Sequence, residues 1–184
     1  DSMARVIQKD LDRIQKEYGR SRRTAVENAR EAVFEEKKVE ETDVAFVMDR
    51  FGYAKLLDFS VYERNKETVQ SDYKYSFICK NTDKICIFTD RGQMHTVKVL
   101  DVPLGRLRDK GTPIDNLCNY SSADEELIYI GSLGSIRQSH LLFVTASGMA
   151  KQVDGMEFDV AKRTVAATRL AEGDRLLLAE PADA

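Results

Sequence analysis

Short apolar runs punctuated by glycine turns dominate this chain after its first forty residues. Val44 to Met48, Ile85 to Phe88 and Leu141 to Val144 each lead into a turn at Gly52, Gly92 or Gly148. A second run follows each turn, and in the second copy Val97 and Val99 share one face while Lys98 takes the other. An apolar strand, a glycine turn and a second strand predict a β-hairpin. Glycine suits such turns because it adopts positive φ at little cost. Tyr73, Tyr75, Phe77 and Cys79 alternate with Lys74, Ser76, Ile78 and Lys80, a period of two that predicts a strand. Strands are expected near 44–48, 53–57, 73–80, 84–88, 94–99, 127–131, 141–145, 149–153, 164–169 and 174–179.

The hairpins are versions of one phrase. Asp49-Arg50-Phe51-Gly52-Tyr53-Ala54-Lys55 is echoed by Asp90-Arg91-Gly92-Gln93-Met94-His95-Thr96-Val97-Lys98. It returns as Thr145-Ala146-Ser147-Gly148-Met149-Ala150-Lys151-Gln152-Val153. A second phrase, Lys110-Gly111-Thr112-Pro113-Ile114-Asp115-Asn116-Leu117, trails the second hairpin. Lys162-Arg163-Thr164-Val165-Ala166-Ala167-Thr168-Arg169-Leu170 trails the third in the same way. Each leads through a polar stretch into an apolar strand. A repeat of about forty to fifty residues with about four strands is the size of a propeller blade. The expected fold is mainly β and propeller-like, with about three four-stranded blades and strands exchanged between neighbours.

Residues 2 to 18 follow a different rule. Met3, Ile7, Leu11, Ile14 and Tyr18 recur at spacings of three and four with charges between them. That pattern predicts an amphipathic helix. Gly19 is its natural stop, and Arg20, Arg22 and Arg23 lie where the helix dipole favours cations. The expected division is a helix with its basic end at 1–23, an acidic linker at 24–43 with Ala32-Val33-Phe34 as a candidate strand, and a β-domain at 44–184. The abrupt helical start suggests a piece of a longer protein.

Composition narrows the class. The chain is 42% hydrophobic and 32% charged, as in soluble globular proteins, and no apolar run reaches membrane-spanning length. Neither a signal peptide nor a membrane partner is expected. Cys79, Cys86 and Cys118 make no metal-spaced motif and read as core thiols, which suggests a reducing, cytoplasmic compartment. His95 and His140 are isolated. No nucleophile–base pair, metal cluster or phosphate loop is visible, so no catalytic or metal-binding residue is expected. Gly131-Ser132-Leu133-Gly134-Ser135 lacks the lysine of a P-loop and reads as a turn.

Taken in order, these phrases resemble those of the A subunit of bacterial type IIA topoisomerases. Tyr18-Gly19 followed by Arg22-Arg23-Thr24 resembles the junction where the last helix of the breakage–reunion core meets the carboxy-terminal β-pinwheel. Asp43-Val44-Ala45-Phe46-Val47-Met48 with Phe51-Gly52-Tyr53-Ala54-Lys55 resembles the first blade. Lys110 to Leu117 and Lys162 to Ala167 resemble the loop-and-strand phrase of later blades. The resemblance implies a domain that binds and bends duplex DNA around a basic rim, placing a segment for passage through the core. It implies a parent enzyme of A2B2 form, with an ATPase B subunit and use of ATP and Mg. The cleavage tyrosine is not in these residues, so this segment is expected to be non-catalytic and to hold no cofactor of its own. Gyrases of the family carry a basic box, Q-R-R-G-G-K-G, after the first hairpin. Here Tyr62-Glu63-Arg64-Asn65-Lys66-Glu67-Thr68-Val69-Gln70 stands in its place. That departure is closer to topoisomerase IV or a divergent gyrase-like protein.

Charge sharpens the DNA expectation. The net charge is −3, whereas non-specific DNA affinity comes mainly from Lys and Arg meeting phosphates. Distribution matters more, because a single basic face suffices. Residues 91–121 hold five Lys or Arg against three Asp, and residues 137–170 hold five against three acids, +2 in each. The candidate phosphate contacts are Arg64, Lys66, Arg91, Lys98, Arg106, Arg108, Lys110, Lys151, Lys162, Arg163 and Arg169. Such contacts would position DNA without reading its sequence. The rival reading is a propeller-like protein-interaction scaffold using the acidic stretch Glu35 to Glu41 and exposed strand edges.

Overall fold

The structure, a computed structural model, describes residues 2–21, 23–24 and 40–182. The chain divides into two compact units, residues 1–38 and 39–184. The first contains helix α1, Ser2–Tyr18, as the spacing predicts. It stops where the Gly19 amide donates to the Gln15 carbonyl at 2.9 Å. The candidate strand at 32–34 lies outside the described residues.

The second unit is built from three hairpins: β1 (Asp43–Met48) with β2 (Tyr53–Asp58), β4 (Lys84–Thr89) with β5 (Gln93–Lys98), and β8 (His140–Thr145) with β9 (Ala150–Asp154). Met48 pairs with Ala54, Phe88 with Met94 and Val144 with Ala150. This aligns Gly52, Gly92 and Gly148, whose φ angles are +83°, +70° and +83°. The Asp-Arg pairs of the first two turns therefore lie one position out of register, with Asp90 equivalent to Arg50.

Each hairpin gains a strand on the side of its first strand. These are β3 (Tyr75–Lys80) on β1, β7 (Leu127–Ser132) on β4, and β11 (Leu176–Ala182) on β8. The fourth strand comes from the following repeat. β6 (Thr112–Pro113) pairs with β2, and β10 (Thr164–Ala166) pairs with β5. The sheets therefore run β3-β1-β2-β6, β10-β5-β4-β7 and β11-β8-β9. Three blades with exchanged strands stand as the sequence suggests, and the third has three strands among the described residues. The basic phrases after the second and third hairpins are the exchanged segments.

Burial explains the apolar runs. Ile85, Ile87, Val97 and Ile130 of the second sheet pack with Phe46, Met48 and Leu56 of the first. From its other face, Cys86, Phe88 and Met94 pack with Leu141, Phe143, Val153 and Leu176 of the third sheet. Both faces of β4 are therefore buried, and its sequence is nearly continuous in apolar residues.

The first sheet solves the same problem with helices. Two short helices, α2 (Phe59–Arg64) and α3 (Lys66–Asp72), follow β2. Their Tyr62 and Val69 cover Ala45, Val47 and Leu57. That face is equivalent to the ones by which the second and third sheets meet the preceding blade. The helices thus cap one end of the stack, as end units of repeat folds must. Asp58 starts α2 by accepting from the Ser60 amide at 2.9 Å and hydroxyl at 2.8 Å. These hydrogen bonds lower the Asp58 pKa. Gly131 to Ser135, read as a turn, is the end of β7 followed by the short helix α4 (Leu133–Ile136).

Candidate nucleic-acid interface

The exchanged segments bring five of the eleven candidate cations to equivalent places on consecutive blades. Arg106, Arg108 and Lys110 lie on the loop that crosses the outer edge of β2 before β6. That loop is stitched to the strand: the Leu56 amide donates to the Pro103 carbonyl and the Gly105 amide to the Leu56 carbonyl, both at 2.9 Å. The Ile114 amide donates to the Gly52 carbonyl at 2.9 Å. Lys162 and Arg163 occupy the corresponding segment on the second blade. There the Thr96 amide donates to the Arg163 carbonyl at 2.8 Å, and the Ala167 amide to the Gly92 carbonyl at 2.8 Å. Both segments are held by their backbones, and all five cationic side chains are exposed.

The other candidates are more scattered. Lys98 is exposed at the end of β5, at the position that Asp58 and Asp154 occupy in the other hairpins. Arg91 is exposed in the second hairpin turn. Lys151 and Arg169 line one cavity of about 280 Å³ on the third blade. Arg64 and Lys66 are on the capping helices, where the Arg64 guanidinium donates to the Ser60 carbonyl at 3.0 Å. Lys110 Nζ stacks 4.3 Å from the Tyr53 ring centroid.

Some cations of the β-domain are committed to carboxylates. Lys80 pairs with Asp43 and Glu41, while Lys84 and Arg137 share Asp159. None of the eleven candidates has a carboxylate within 4.0 Å among the described residues.

One lysine stands out that the sequence pattern does not single out. Lys55, in the middle of β2, is 1% exposed. Its Nζ donates to the carbonyls of Arg106, Leu107 and Asp109 at 2.7, 2.9 and 2.5 Å. His95, in the same register position of the second hairpin, is also buried. Its Nδ1 meets Thr164 Oγ1 at 3.0 Å and its Nε2 meets Glu125 Oε2 at 3.1 Å.

No group of His, Cys, Asp and Glu among the described residues is placed to hold a metal ion. No helix there is long and apolar enough to cross a membrane. Burial pushes the Cys79 and Cys86 thiols up to about 12, with nearby carboxylates adding to the effect.

A solved C-terminal domain of DNA topoisomerase IV superposes on 79% of this chain with a TM-score of 0.68 and 21% sequence identity, the match covering 47% of that chain. The fold is a β-pinwheel, shared with that domain. The E. coli ParC C-terminal domain superposes with a TM-score of 0.58 at 12% identity, covering 76% of this chain and 56% of that one. In sequence, the pinwheel and its leading helix are similar to the A subunits of DNA gyrases. The Clostridium acetobutylicum protein is 26% identical over 183 residues, 94% of this chain and 22% of its own length. The Helicobacter pylori protein is 25% identical over 196 aligned residues, 100% of this chain and 24% of its own length. The chain thus spans less than a quarter of the length of these relatives. No protein-family model matches it.

Proposed function

We propose that this pinwheel binds and bends duplex DNA for a type IIA topoisomerase. The observation that carries the reading is the paired basic segments. Arg106, Arg108 and Lys110 on the first blade, and Lys162 and Arg163 on the second, recur at equivalent exchanged strands without carboxylate partners among the described residues. Lys98, Arg91, Lys151, Arg169, Arg64 and Lys66 extend the contact. A smooth bend costs about 1–6 kcal/mol, which several phosphate contacts offset. The whole enzyme would join the breakage–reunion core of the parent chain to an ATPase partner in an A2B2 assembly, and would use ATP and Mg outside this segment. The missing basic box favours topoisomerase IV-like or divergent gyrase activity. A reducing, cytoplasmic setting fits the three free cysteines.

The test is titration of the 184-residue chain with an end-labelled mixed-sequence duplex across a salt series. The five cations of the two exchanged segments alone predict a log–log slope of at least about −4.5 in magnitude, at about −0.9 per contact, and the remaining cations steepen it. Energy transfer between the duplex ends should rise on binding. No binding at low salt, together with capture of a protein partner insensitive to salt, would favour the scaffold reading.

A further inference from the structure

A buried ammonium beneath an exposed basic loop is an uncommon arrangement, because an isolated charge is costly to bury. Lys55 is buried under the loop 103–111 with every donor used. A lysine has three N–H groups, and three carbonyls of that loop receive them. The Tyr73 ring lies 5.2 Å from Nζ, and its hydroxyl donates to the Leu107 carbonyl at 3.0 Å. The Asp109 carboxylate accepts from the Arg106 amide at 2.7 Å. The loop therefore turns its carbonyls inward to one cation. Its side chains Arg106, Arg108 and Lys110 are left exposed. Three convergent carbonyls repel one another unless a cation sits among them.

We propose that Lys55 is a positioning residue for phosphate binding: it pins the following repeat's basic loop in the conformation that presents Arg106, Arg108 and Lys110. This rests on the DNA-binding reading above. The arrangement recurs in altered form. His95 holds the Thr164 hydroxyl beside Lys162 and Arg163, and Thr96 adds contacts to the same segment. Lys151, third in the series, is exposed and lies on a strand that carries no exchanged partner among the described residues. One register position thus serves as a pin where an exchanged segment crosses it, and as a free cation where none does.

The experiment compares Lys55→Met, the triple variant Arg106→Ala/Arg108→Ala/Lys110→Ala, and their combination. Hydrogen exchange reads the pin directly. Loss of the ammonium should speed exchange at Gly105 and Asp109 about tenfold or more, since three loop carbonyls lose a charged donor and the Asp109 carbonyl loses its side-chain partner altogether. The β4 amides should stay protected. The salt slope of duplex binding reads the consequence. The triple variant should lower its magnitude by about 2.7, three contacts at about 0.9 each. Lys55→Met should lower it by a similar amount, and the combination should go no further. If the triple variant lowers the slope and Lys55→Met does not, Lys55 is no positioning residue. If the triple variant itself leaves the slope unchanged, the loop does not meet phosphate and the DNA reading fails there. Should Lys55→Met fail to fold, the wild-type Nζ protons still decide the pin: they should exchange slowly enough to be seen by NMR, and fast exchange overturns it.

Discussion

The Asp174 carboxylate accepts the Ser147 hydroxyl at 2.6 Å and the Ser147 amide at 3.0 Å. It ties the third hairpin turn to the loop that enters β11. These hydrogen bonds, led by the Ser147 hydroxyl, hold the Asp174 carboxyl at about 2, below its usual 3.8. A carboxylate depressed in the folded state contributes stability that is complete above the unfolded pKa. The contribution is lost as pH falls toward the folded value. Asp174→Asn should therefore be less stable than the native chain at neutral pH, with the gap closing between about pH 4 and pH 2. Urea denaturation across that range checks it, and a gap independent of pH would contradict it.

Gly92 and Gly148 occupy one turn position with similar φ but different surroundings. A Cβ on Gly92 would lie 2.7 Å from the Thr168 carbonyl oxygen, while one on Gly148 would meet nothing within 4 Å. Gly148→Ala should cost about 1–2 kcal/mol from backbone strain alone. Gly92→Ala should cost more, because the exchanged segment must shift as well. Equal midpoints in thermal melts of the two variants would count against the packing described.

Phe88 is fully buried between the second and third sheets. Its ring centroid lies 5.9, 5.8 and 5.2 Å from those of Tyr129, Phe143 and Phe158. Phe88→Ala should destabilise by about 3–5 kcal/mol. Chemical denaturation measures the loss, and a change below about 1 kcal/mol would place the residue outside the core.

Much of this architecture was legible because hairpins are local. Gly52, Gly92 and Gly148 each follow a short apolar run, and local chemistry is enough to fold each turn. What the sequence concealed depends on distant partners. Helices α2 and α3 are too short for a periodic signal, and together they bury two side chains, Tyr62 and Val69. β6 is two residues long and joins a hairpin from the preceding repeat. Nothing near Lys55 in the sequence signals its burial, because its carbonyl partners lie 51 to 54 positions away. The basic segments were visible as composition. Their equivalence on consecutive blades came from strand exchange, which no local pattern carries.

The thiols offer a simple probe of that buried core. Thiolate is the reactive form, and burial holds Cys79 and Cys86 at about 12. Both should resist alkylation at pH 8 in the folded chain and react quickly in denaturant. Mass spectrometry after a timed iodoacetamide pulse reads the difference. Rapid labelling of Cys86 in native buffer would contradict its placement between the sheets.

The most direct measurement is the salt dependence of duplex binding for Lys162→Ala/Arg163→Ala. These cations occupy the exchanged segment of the second blade, and their side chains are exposed, so their removal leaves the core intact. The magnitude of the log–log slope should fall by about 1.8, two phosphate contacts at about 0.9 each, with the thermal midpoint unchanged. An unaltered slope with unaltered affinity would show that the basic border of the pinwheel does not grip DNA there.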